Sequence, residues 1–235
     1  MIKTLNIAHR GFSGCFPENT MMAFEKAVEA GADGIETDLH MTKDGVIAIC
    51  HDETVDRTTD GTGFIKDHTY AEIRKFNAGK GEKIPSIDEV LNYIKDKNLL
   101  LNLELKNDII EYNNLEKNTV DKIYEYKLEK NVIISSFNYS SIQKVKQYDS
   151  NISTGLLYDY HIYKPWKYAK KIGTNALHPF FLLVMNKKIV SDIKKNNIRI
   201  NTYTVNEERY MKRLINLGVD GIITNYPNVL QRLIH

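Results

Sequence analysis

Cysteine is scarce in this chain: Cys15 and Cys50 are the only two among 235 residues. Two cysteines cannot build the disulfide framework on which small extracellular domains depend. We therefore expect both to be reduced thiols in a cytoplasmic protein. A chain of this length buries one sizeable core without covalent cross-links.

Long hydrophobic runs are absent as well. The longest uninterrupted apolar run, residues 180–185, has six residues, far fewer than the roughly twenty that span a bilayer. The run at residues 5–8 is too short for the core of a signal peptide. The sequence thus predicts a soluble protein without a stable membrane anchor. Residues 180–185 are expected to be buried beneath a helix, or alternatively to form an apolar rim that contacts lipid.

Neither sign of charge predominates. The chain has 32 Lys and Arg against 30 Asp and Glu, which gives a net charge of +2, and the lysines are scattered among the acids. A nucleic-acid-binding protein concentrates its basic residues on one face, so we expect no nucleic-acid partner. This balance is compatible with a small anionic substrate.

Short apolar runs alternate with amphipathic segments along the chain. The predicted strands are residues 5–8, 35–39, 46–50, 99–105, 132–135, 153–157, 175–177, 198–204 and 221–224. The predicted helices are residues 19–30, 70–76, 87–97, 115–130, 140–148, 164–172, 187–196, 207–217 and a last one from residue 228. Strand–helix alternation favours parallel strands. We predict a single α/β domain over residues 1–235, a closed (β/α)8 TIM barrel, with an open doubly wound sheet as the alternative.

Ionisable side chains fall at the carboxyl ends of four apolar runs. They are His9, Glu36, Asp38, His51, Glu104 and Lys106. Unpaired buried charges are costly, so a chain that needed only a core would not place them there. In a parallel barrel the active site lies at the carboxyl ends of the strands. We therefore expect these side chains to meet in one site.

The three carboxylates among them have the spacing of a metal site. Glu36 and Asp38 are two residues apart, so their side chains point to the same face of a strand. If Glu104 faces the same barrel mouth, the oxygen-only ligand set suits Mg²⁺ or Ca²⁺. The alternative is that Asp38 and Glu104 are solvated charges at strand ends.

The remaining ionisable residues suit proton transfer and phosphate binding. His9 and His51 are candidates for a general acid and base, because an unperturbed imidazole titrates near neutrality. Arg10 and Lys106 supply fixed positive charge that could hold a phosphate. Together with a metal ion, this set fits cleavage of a phosphodiester.

Five motifs resemble, in order, those of the glycerophosphodiester phosphodiesterase family. They are Ala8-His9-Arg10-Gly11, Pro17-Glu18-Asn19-Thr20, Gly34-Ile35-Glu36-Thr37-Asp38, His51-Asp52 and Leu103-Glu104-Leu105-Lys106. Weaker similarities follow at residues 136–137, 204–206 and 220–227. The resemblance runs over almost the whole chain.

This resemblance implies a barrel with a small insertion after the second strand, which fits the irregular residues 52–85. It implies roles for seven residues: Glu36, Asp38 and Glu104 as ligands of one divalent cation, Mg²⁺ or Ca²⁺, His9 and His51 as general acid and base, and Arg10 and Lys106 as phosphate contacts. Glu18 and Asn19 are expected to order the loop after the first strand, with Asn19 alternatively capping the first helix.

The activity implied by the resemblance is hydrolysis of glycerophosphodiesters, such as glycerophosphocholine, to sn-glycerol 3-phosphate and an alcohol. Such a phosphoric diester hydrolase serves glycerophospholipid degradation and glycerol metabolism. The alternatives are a lysophospholipase-D-like or phospholipase-C-like lipid phosphodiesterase, and a non-catalytic phosphate-binding barrel. The oligomeric state is open, and a homodimer is compatible with the sequence.

Two positions depart from the family pattern. Asn225 stands where many members carry Asp, and Tyr203 stands where many carry Trp. We expect neither to touch the metal or proton-transfer residues, and expect both to affect selectivity more than activity.

Overall fold

The computed structural model describes residues 4–234, and the strands of this part form one sheet. In chain order they are β1 (Leu5–His9), β2 (Gly34–Met41), β3 (Ile47–Ile49), β4 (Leu100–Leu105), β5 (Val132–Ser136), β6 (Ser153–Tyr158), β7 (Ala176–Pro179), β8 (Arg199–Thr202) and β9 (Gly221–Thr224). β1 pairs in parallel with β2 on one side and with β9 on the other, which closes the barrel. β3 pairs antiparallel with β2 and lies outside the ring of eight parallel strands. The (β/α)8 barrel is confirmed, and the open doubly wound alternative is wrong.

The helices follow the strands nearly as expected. They are α1 (Met21–Glu29), α2 (Tyr70–Ile73), α3 (Ile87–Ile94), α4 (Leu115–Glu125), α5 (Tyr139–Tyr148), α6 (Pro165–Ile172), α7 (Lys187–Lys194), α8 (Glu208–Leu217) and α9 (Pro227–Ile234). α1 is capped by Thr20, whose side chain accepts from the Ala23 amide. The helix expected at residues 115–130 ends at Glu125, because Lys127 has a φ of 58° that an α-helix does not continue.

Alternation along the strands separates an apolar layer from a polar interior. On β2, Ile35 and Leu39 are fully buried in the main apolar cluster. Glu36 and Asp38 alternate with them and therefore point to the other side of the strand, into the barrel. This parity is the one expected from the sequence, and it brings charged groups inside the ring of strands.

The segment between β3 and α3 forms a small unit beside the barrel. It contains a 3₁₀ turn at Ile65–Asp67 and the short helix α2. A separate apolar cluster holds it together, and its buried members include Cys50, Val55, Ile65 and Ile73. This segment matches the expected insertion at about residues 52–85. That it forms a single domain with the barrel over residues 1–235 stays a prediction.

Residues 180–185 are mostly packed against the core. Phe181–Val184 forms a 3₁₀ helix in which Val184 is fully buried. Phe181, Leu183 and Met185 pack on the main apolar cluster, whereas Leu182 remains 52% exposed. In the part of the chain that the structure describes, no helix is long and apolar enough to cross a membrane.

Candidate active site

Three carboxylates from neighbouring strands converge at the barrel mouth. Asp38 on β2 lies directly opposite Glu104 on β4, and Glu36 lies one step deeper on β2. One oxygen from each residue lies within 4.8 Å of the others, and all three side chains are buried. These three residues could hold a metal ion, and the alternative of solvated strand-end charges is wrong because none is exposed.

The crowding of this cluster shows in the acidities of its members. Burial raises the pKa of Glu36 well above its usual value, and repulsion from Asp38 and Glu104 raises it further. Burial also raises the pKa of Glu104, to about 7, although Lys106 opposes the shift. A divalent cation bound by all three would offset this repulsion, so the donor set fits the metal that the resemblance implies.

Two cations flank the carboxylates. The Nζ of Lys106 donates to Glu104 Oε1 at 2.9 Å. The Nε of Arg10 lies 3.4 Å from Asp38 Oδ2, yet it is buried and makes no hydrogen bond with the described residues. Burial alone would raise the pKa of Asp38, but Arg10 and Lys106 hold it below its usual value. Arg10 thus keeps a donor aimed into the site.

His9 ends β1 beside the cluster. Its Nδ1 lies 2.6 Å from Asn225 Oδ1, and its Nε2 lies 3.9 Å from Glu36 Oε2. If the Asn225 amide oxygen accepts from Nδ1, Nε2 is left without a proton. Burial lowers the pKa of His9 to about 4, with a further contribution from Arg10. The imidazole is therefore neutral near pH 7.

His51 approaches the same cluster from the start of the segment after β3. Its Nδ1 donates to Asp52 Oδ1 at 2.6 Å. Its Nε2 lies 3.4 Å from the Nζ of Lys106. The two histidines therefore differ in what orients them: a neutral amide for His9 and a carboxylate for His51.

Asn225 touches the proton-transfer set directly, so the expectation that it would not is wrong. The error came from treating position 225 as a remote strand end, whereas closure of the barrel brings β9 beside β1. Tyr203 lines a small cavity together with His9, Glu36 and Glu104. Its ring packs edge-on against Phe137 at 6.0 Å between centroids.

His40 supports the site and was missed in the sequence. Its Nε2 donates to the backbone oxygen of His51 at 3.1 Å, and its Nδ1 accepts from the Tyr112 hydroxyl at 2.8 Å. It is fully buried. The signal was available, because His40 follows Asp38 by two residues and so shares its face of β2.

Arg57 was missed too, and no sequence pattern singles it out. Its Nε donates to Asp52 Oδ2 at 2.6 Å, and its Nη2 donates to Glu18 Oε1 at 2.7 Å. Glu18 also accepts from Nη1 of Arg10 at 2.9 Å. A continuous chain of charge pairs therefore joins the Asp52 partner of His51 to Arg10.

Asn19 orders the loop after β1, which is one of the two roles expected for it. Its Nδ2 donates to Asp38 Oδ2 at 2.9 Å, and its Oδ1 accepts from Thr37 Oγ1 at 2.7 Å. The alternative role as helix cap is wrong, since Thr20 caps α1. Asn19 fixes the orientation of one metal-ligand candidate.

Comparison with known proteins points to one family. Residues 9–229 match the glycerophosphoryl diester phosphodiesterase family. A glycerophosphodiester phosphodiesterase of Caldanaerobacter subterraneus subsp. tengcongensis is 45% identical over 240 residues, covering 99% of this chain and 98% of that protein. The structure of an Oleispira antarctica phosphodiesterase in complex with the product sn-glycerol-3-phosphate is 30% identical, with a TM-score of 0.88 and coverage of 99% and 97%. A glycerophosphodiester phosphodiesterase structure from Parabacteroides distasonis is 26% identical, with a TM-score of 0.87 and coverage of 99% and 97%.

The closed barrel, with ionisable groups gathered at the carboxyl ends of its strands, defines a (β/α)8-barrel phosphodiesterase. The motifs that carry its charged residues lie within the matched region. The chain belongs to the glycerophosphoryl diester phosphodiesterase family.

Proposed function

We propose that this protein hydrolyses glycerophosphodiesters, such as glycerophosphocholine or glycerophosphoethanolamine, to sn-glycerol 3-phosphate and an alcohol. The observation that carries the proposal is the cluster of three buried carboxylates, flanked by His9 and by Lys106, which contacts His51. The structural relative bound to sn-glycerol-3-phosphate supports the identity of the product. Such a reaction serves glycerophospholipid degradation and glycerol metabolism.

The proposal includes one divalent cation, Mg²⁺ or Ca²⁺, held by Glu36, Asp38 and Glu104. Their buried oxygen-only donor set suits a hard cation. When bound, such a cation polarises the phosphoryl oxygens and offsets the negative charge that develops on them. Asn19 keeps Asp38 oriented toward it.

Arg10 and Lys106 bind the phosphate in this scheme. The Nε of Arg10 is buried without a hydrogen-bond acceptor among the described residues, so a phosphoryl oxygen supplies its missing partner. Lys106 reaches both Glu104 and His51, which places its ammonium group between the carboxylates and the second histidine. Both cations stabilise charge on the pentacoordinate phosphoryl group.

His9 acts as the general base and His51 as the general acid. The unprotonated Nε2 of His9 takes the proton from the attacking hydroxyl, which belongs either to water or to the glycerol carbon next to the phosphate. In the second case the product of this step is a cyclic phosphate, which water then hydrolyses to glycerol 3-phosphate. As the new P–O bond forms, the P–O bond to the alcohol breaks, and His51 protonates the leaving oxygen. We assign the acid to His51 because a carboxylate, Asp52, faces its Nδ1, whereas Asn225 offers His9 no charge.

Purified protein incubated with glycerophosphocholine tests this function. We expect release of glycerol 3-phosphate that EDTA abolishes and Mg²⁺ or Ca²⁺ restores. His9→Ala and His51→Ala should each lower kcat by roughly 10²- to 10⁴-fold. His68→Ala, a half-exposed histidine of the insertion, serves as the matched control and should keep full activity. No release from choline, ethanolamine or glycerol diesters would contradict the proposal.

The lipid alternatives lack a comparable observation. A lysophospholipase-D-like or phospholipase-C-like enzyme needs a wide apolar mouth, and most of residues 180–185 pack on the core instead. A non-catalytic phosphate-binding barrel has no need for two oriented histidines. We further propose the cytoplasm as the compartment, which the two free cysteines support. A homodimer stays a prediction.

A further inference from the structure

One segment, which begins at the barrel mouth and includes most of α6, has a composition unlike the rest of the chain. Residues 160–171 contain three tyrosines, four lysines, the single tryptophan and no acidic residue. The chain as a whole has nearly as many acids as bases. We call residues 160–171 together with Leu182 the tyrosine–lysine surface.

The apolar side chains of the tyrosine–lysine surface are unusually exposed. Tyr163 is 74% exposed, Tyr160 60% and Leu182 52%. Behind them, Trp166 and Leu183 line a groove between α6 and α7 whose walls are mainly apolar. Contiguous exposed apolar area of this kind marks a surface that contacts something else.

The lysines of this surface contact neutral groups rather than carboxylates. Lys164 lies over the Tyr163 ring, with its Nζ 5.0 Å from the centroid. Lys170 donates to the Asn196 amide oxygen at 2.7 Å. Lys167 and Lys171 line a shallow depression with two of the tyrosines. Their positive charge is therefore available to an anionic partner.

Two acids border the surface without neutralising it. Asp159 precedes the segment and is exposed. Asp192 lines the groove but is ion-paired with Lys188 at 2.6 Å. The four lysines of the segment therefore leave the surface with a net positive charge.

The tyrosine–lysine surface begins at the mouth of the barrel and continues along the exposed side of α6. Residues 160–164 follow the carboxyl end of β6 and Leu182 follows that of β7, and the active site lies at the carboxyl ends of β1, β2 and β4. Aromatic contacts join the two regions. Tyr203 of the site cavity contacts Phe180 at 6.4 Å between ring centroids, and Phe180 contacts Phe181 at 4.9 Å, next to Leu182.

We propose that the tyrosine–lysine surface docks the protein on an anionic phospholipid bilayer, with the exposed side of α6 and the adjacent rim of the barrel mouth against the membrane. Tyrosine and tryptophan rings favour the interfacial region of a bilayer, where the ring is apolar and the polar tip stays hydrated. Lysines beside them are attracted to anionic headgroups. Leu182 adds a short aliphatic contact to the same interface. This docking is reversible and independent of the proposed hydrolysis.

Vesicle co-sedimentation without substrate tests the docking. We expect the full chain to sediment with phosphatidylcholine vesicles that contain phosphatidylglycerol, to stay in solution with phosphatidylcholine alone, and to be released by salt. The triple variant Lys164→Glu/Lys167→Glu/Lys171→Glu should bind at least about tenfold more weakly. Tyr160→Ser/Tyr163→Ser should weaken binding in the same direction.

The matched control is Lys95→Glu/Lys127→Glu/Lys130→Glu. These three exposed lysines follow α3 and α4, at the end of the barrel opposite the mouth. The control should bind like the unaltered protein, and all variants should hydrolyse soluble glycerophosphocholine at the unaltered rate if that activity is present. The docking proposal is overturned if the unaltered protein does not bind vesicles that contain phosphatidylglycerol. It is also overturned if the control loses as much binding as Lys164→Glu/Lys167→Glu/Lys171→Glu.

Discussion

At the residue scale, the two site histidines are distinguished by their Nδ1 partners. Asp52 gives His51 a negative partner, whereas Asn225 gives His9 a neutral one. A carboxylate stabilises the imidazolium and fixes the tautomer, and an amide oxygen fixes the tautomer alone. The proposed assignment of His51 as the acid and His9 as the base rests on this difference.

Exchanging amide and carboxylate at each position tests that division. Asp52→Asn should lower kcat/KM about 100-fold or more, because the imidazolium of His51 loses its stabilising charge. Asn225→Asp keeps an oxygen acceptor at His9 Nδ1 and should cost less than about tenfold. Steady-state kinetics on glycerophosphocholine measures both, and equal losses in the two variants would contradict the assignment.

The site residues that sequence reasoning could find are those that end strands. The three carboxylates, Arg10, Lys106 and both histidines follow from strand parity and the motifs, and the structure brings all of them together. Contacts that need barrel closure could not be found in this way. Asn225 reaches His9 across 216 positions of sequence, a contact that no local pattern encodes.

At the element scale, ion pairs connect the insertion after β3 to the barrel. Arg57 lies on the insertion and binds two carboxylates that each contact a site residue, Asp52 next to His51 and Glu18 next to Arg10. A guanidinium can hold two carboxylates at once with its planar set of donors. The insertion therefore helps to position His51, the proposed acid, and Arg10, the proposed phosphate contact.

Removing the ion pairs of Arg57 should affect catalysis more than folding. We expect Arg57→Ala to lower kcat/KM roughly tenfold to a hundredfold, because small displacements of positioned groups are costly. Arg57→Lys should recover little of it, since an ammonium cannot hold both carboxylates bidentately. Added guanidinium should partly restore the alanine variant.

Arg74→Ala is the matched control for the insertion. Arg74 binds Glu89 at 2.6 Å, away from the site carboxylates. Kinetics and thermal unfolding of both variants should show lost activity only for Arg57→Ala. Equal activity of Arg57→Ala and Arg74→Ala would show that the insertion contributes packing alone and does not position the site residues.

Element types could be predicted from periodicity, while element ends depended on local backbone geometry. Ser86 and Glu89 form a capping box at the start of α3. α4 ended five residues early because Lys127 adopts a left-handed conformation, which is rare for lysine and has no sequence signal here.

At the scale of the whole molecule, the closed barrel traps polar groups below the active site. His178 on β7 is fully buried, its Nε2 lies 3.0 Å from the Asn201 amide nitrogen, and its Nδ1 has no partner among the described residues. Its ring fills the space beside Gly155, where a Cβ would come within 2.5 Å of it. Burial lowers the pKa of His178 to about 3.

This buried imidazole should make stability depend on pH. The folded state resists protonation of His178, so the stabilisation is complete above the unfolded pKa of about 6.5 and is lost as pH falls toward the folded value. Between these two pH values the unfolding free energy of the unaltered protein falls as the pH falls. In His178→Gln this slope should be smaller by up to about 1.4 kcal/mol per pH unit. Urea denaturation across this range measures it.

Above about pH 7.5 the imidazole of His178 is neutral in both the folded and the unfolded state, so measurements in this range are the internal control. There the unfolding free energies of the unaltered protein and of His178→Gln should differ by a constant amount. Parallel curves throughout the acidic range would show that His178 does not contribute to the pH dependence.

The central claim is that the buried carboxylate cluster binds the divalent cation that glycerophosphodiester hydrolysis requires. The most direct measurement is glycerol 3-phosphate release by EDTA-treated protein during titration with Mg²⁺ or Ca²⁺, for the unaltered chain, Glu104→Gln and Glu116→Gln. Glu116 is a buried carboxylate bonded to Ser141 outside the cluster, and serves as the isosteric control. We predict saturable recovery for the unaltered chain and the control, and at least about tenfold more cation for Glu104→Gln. Full activity after EDTA treatment, or identical titrations of all three proteins, would contradict the claim.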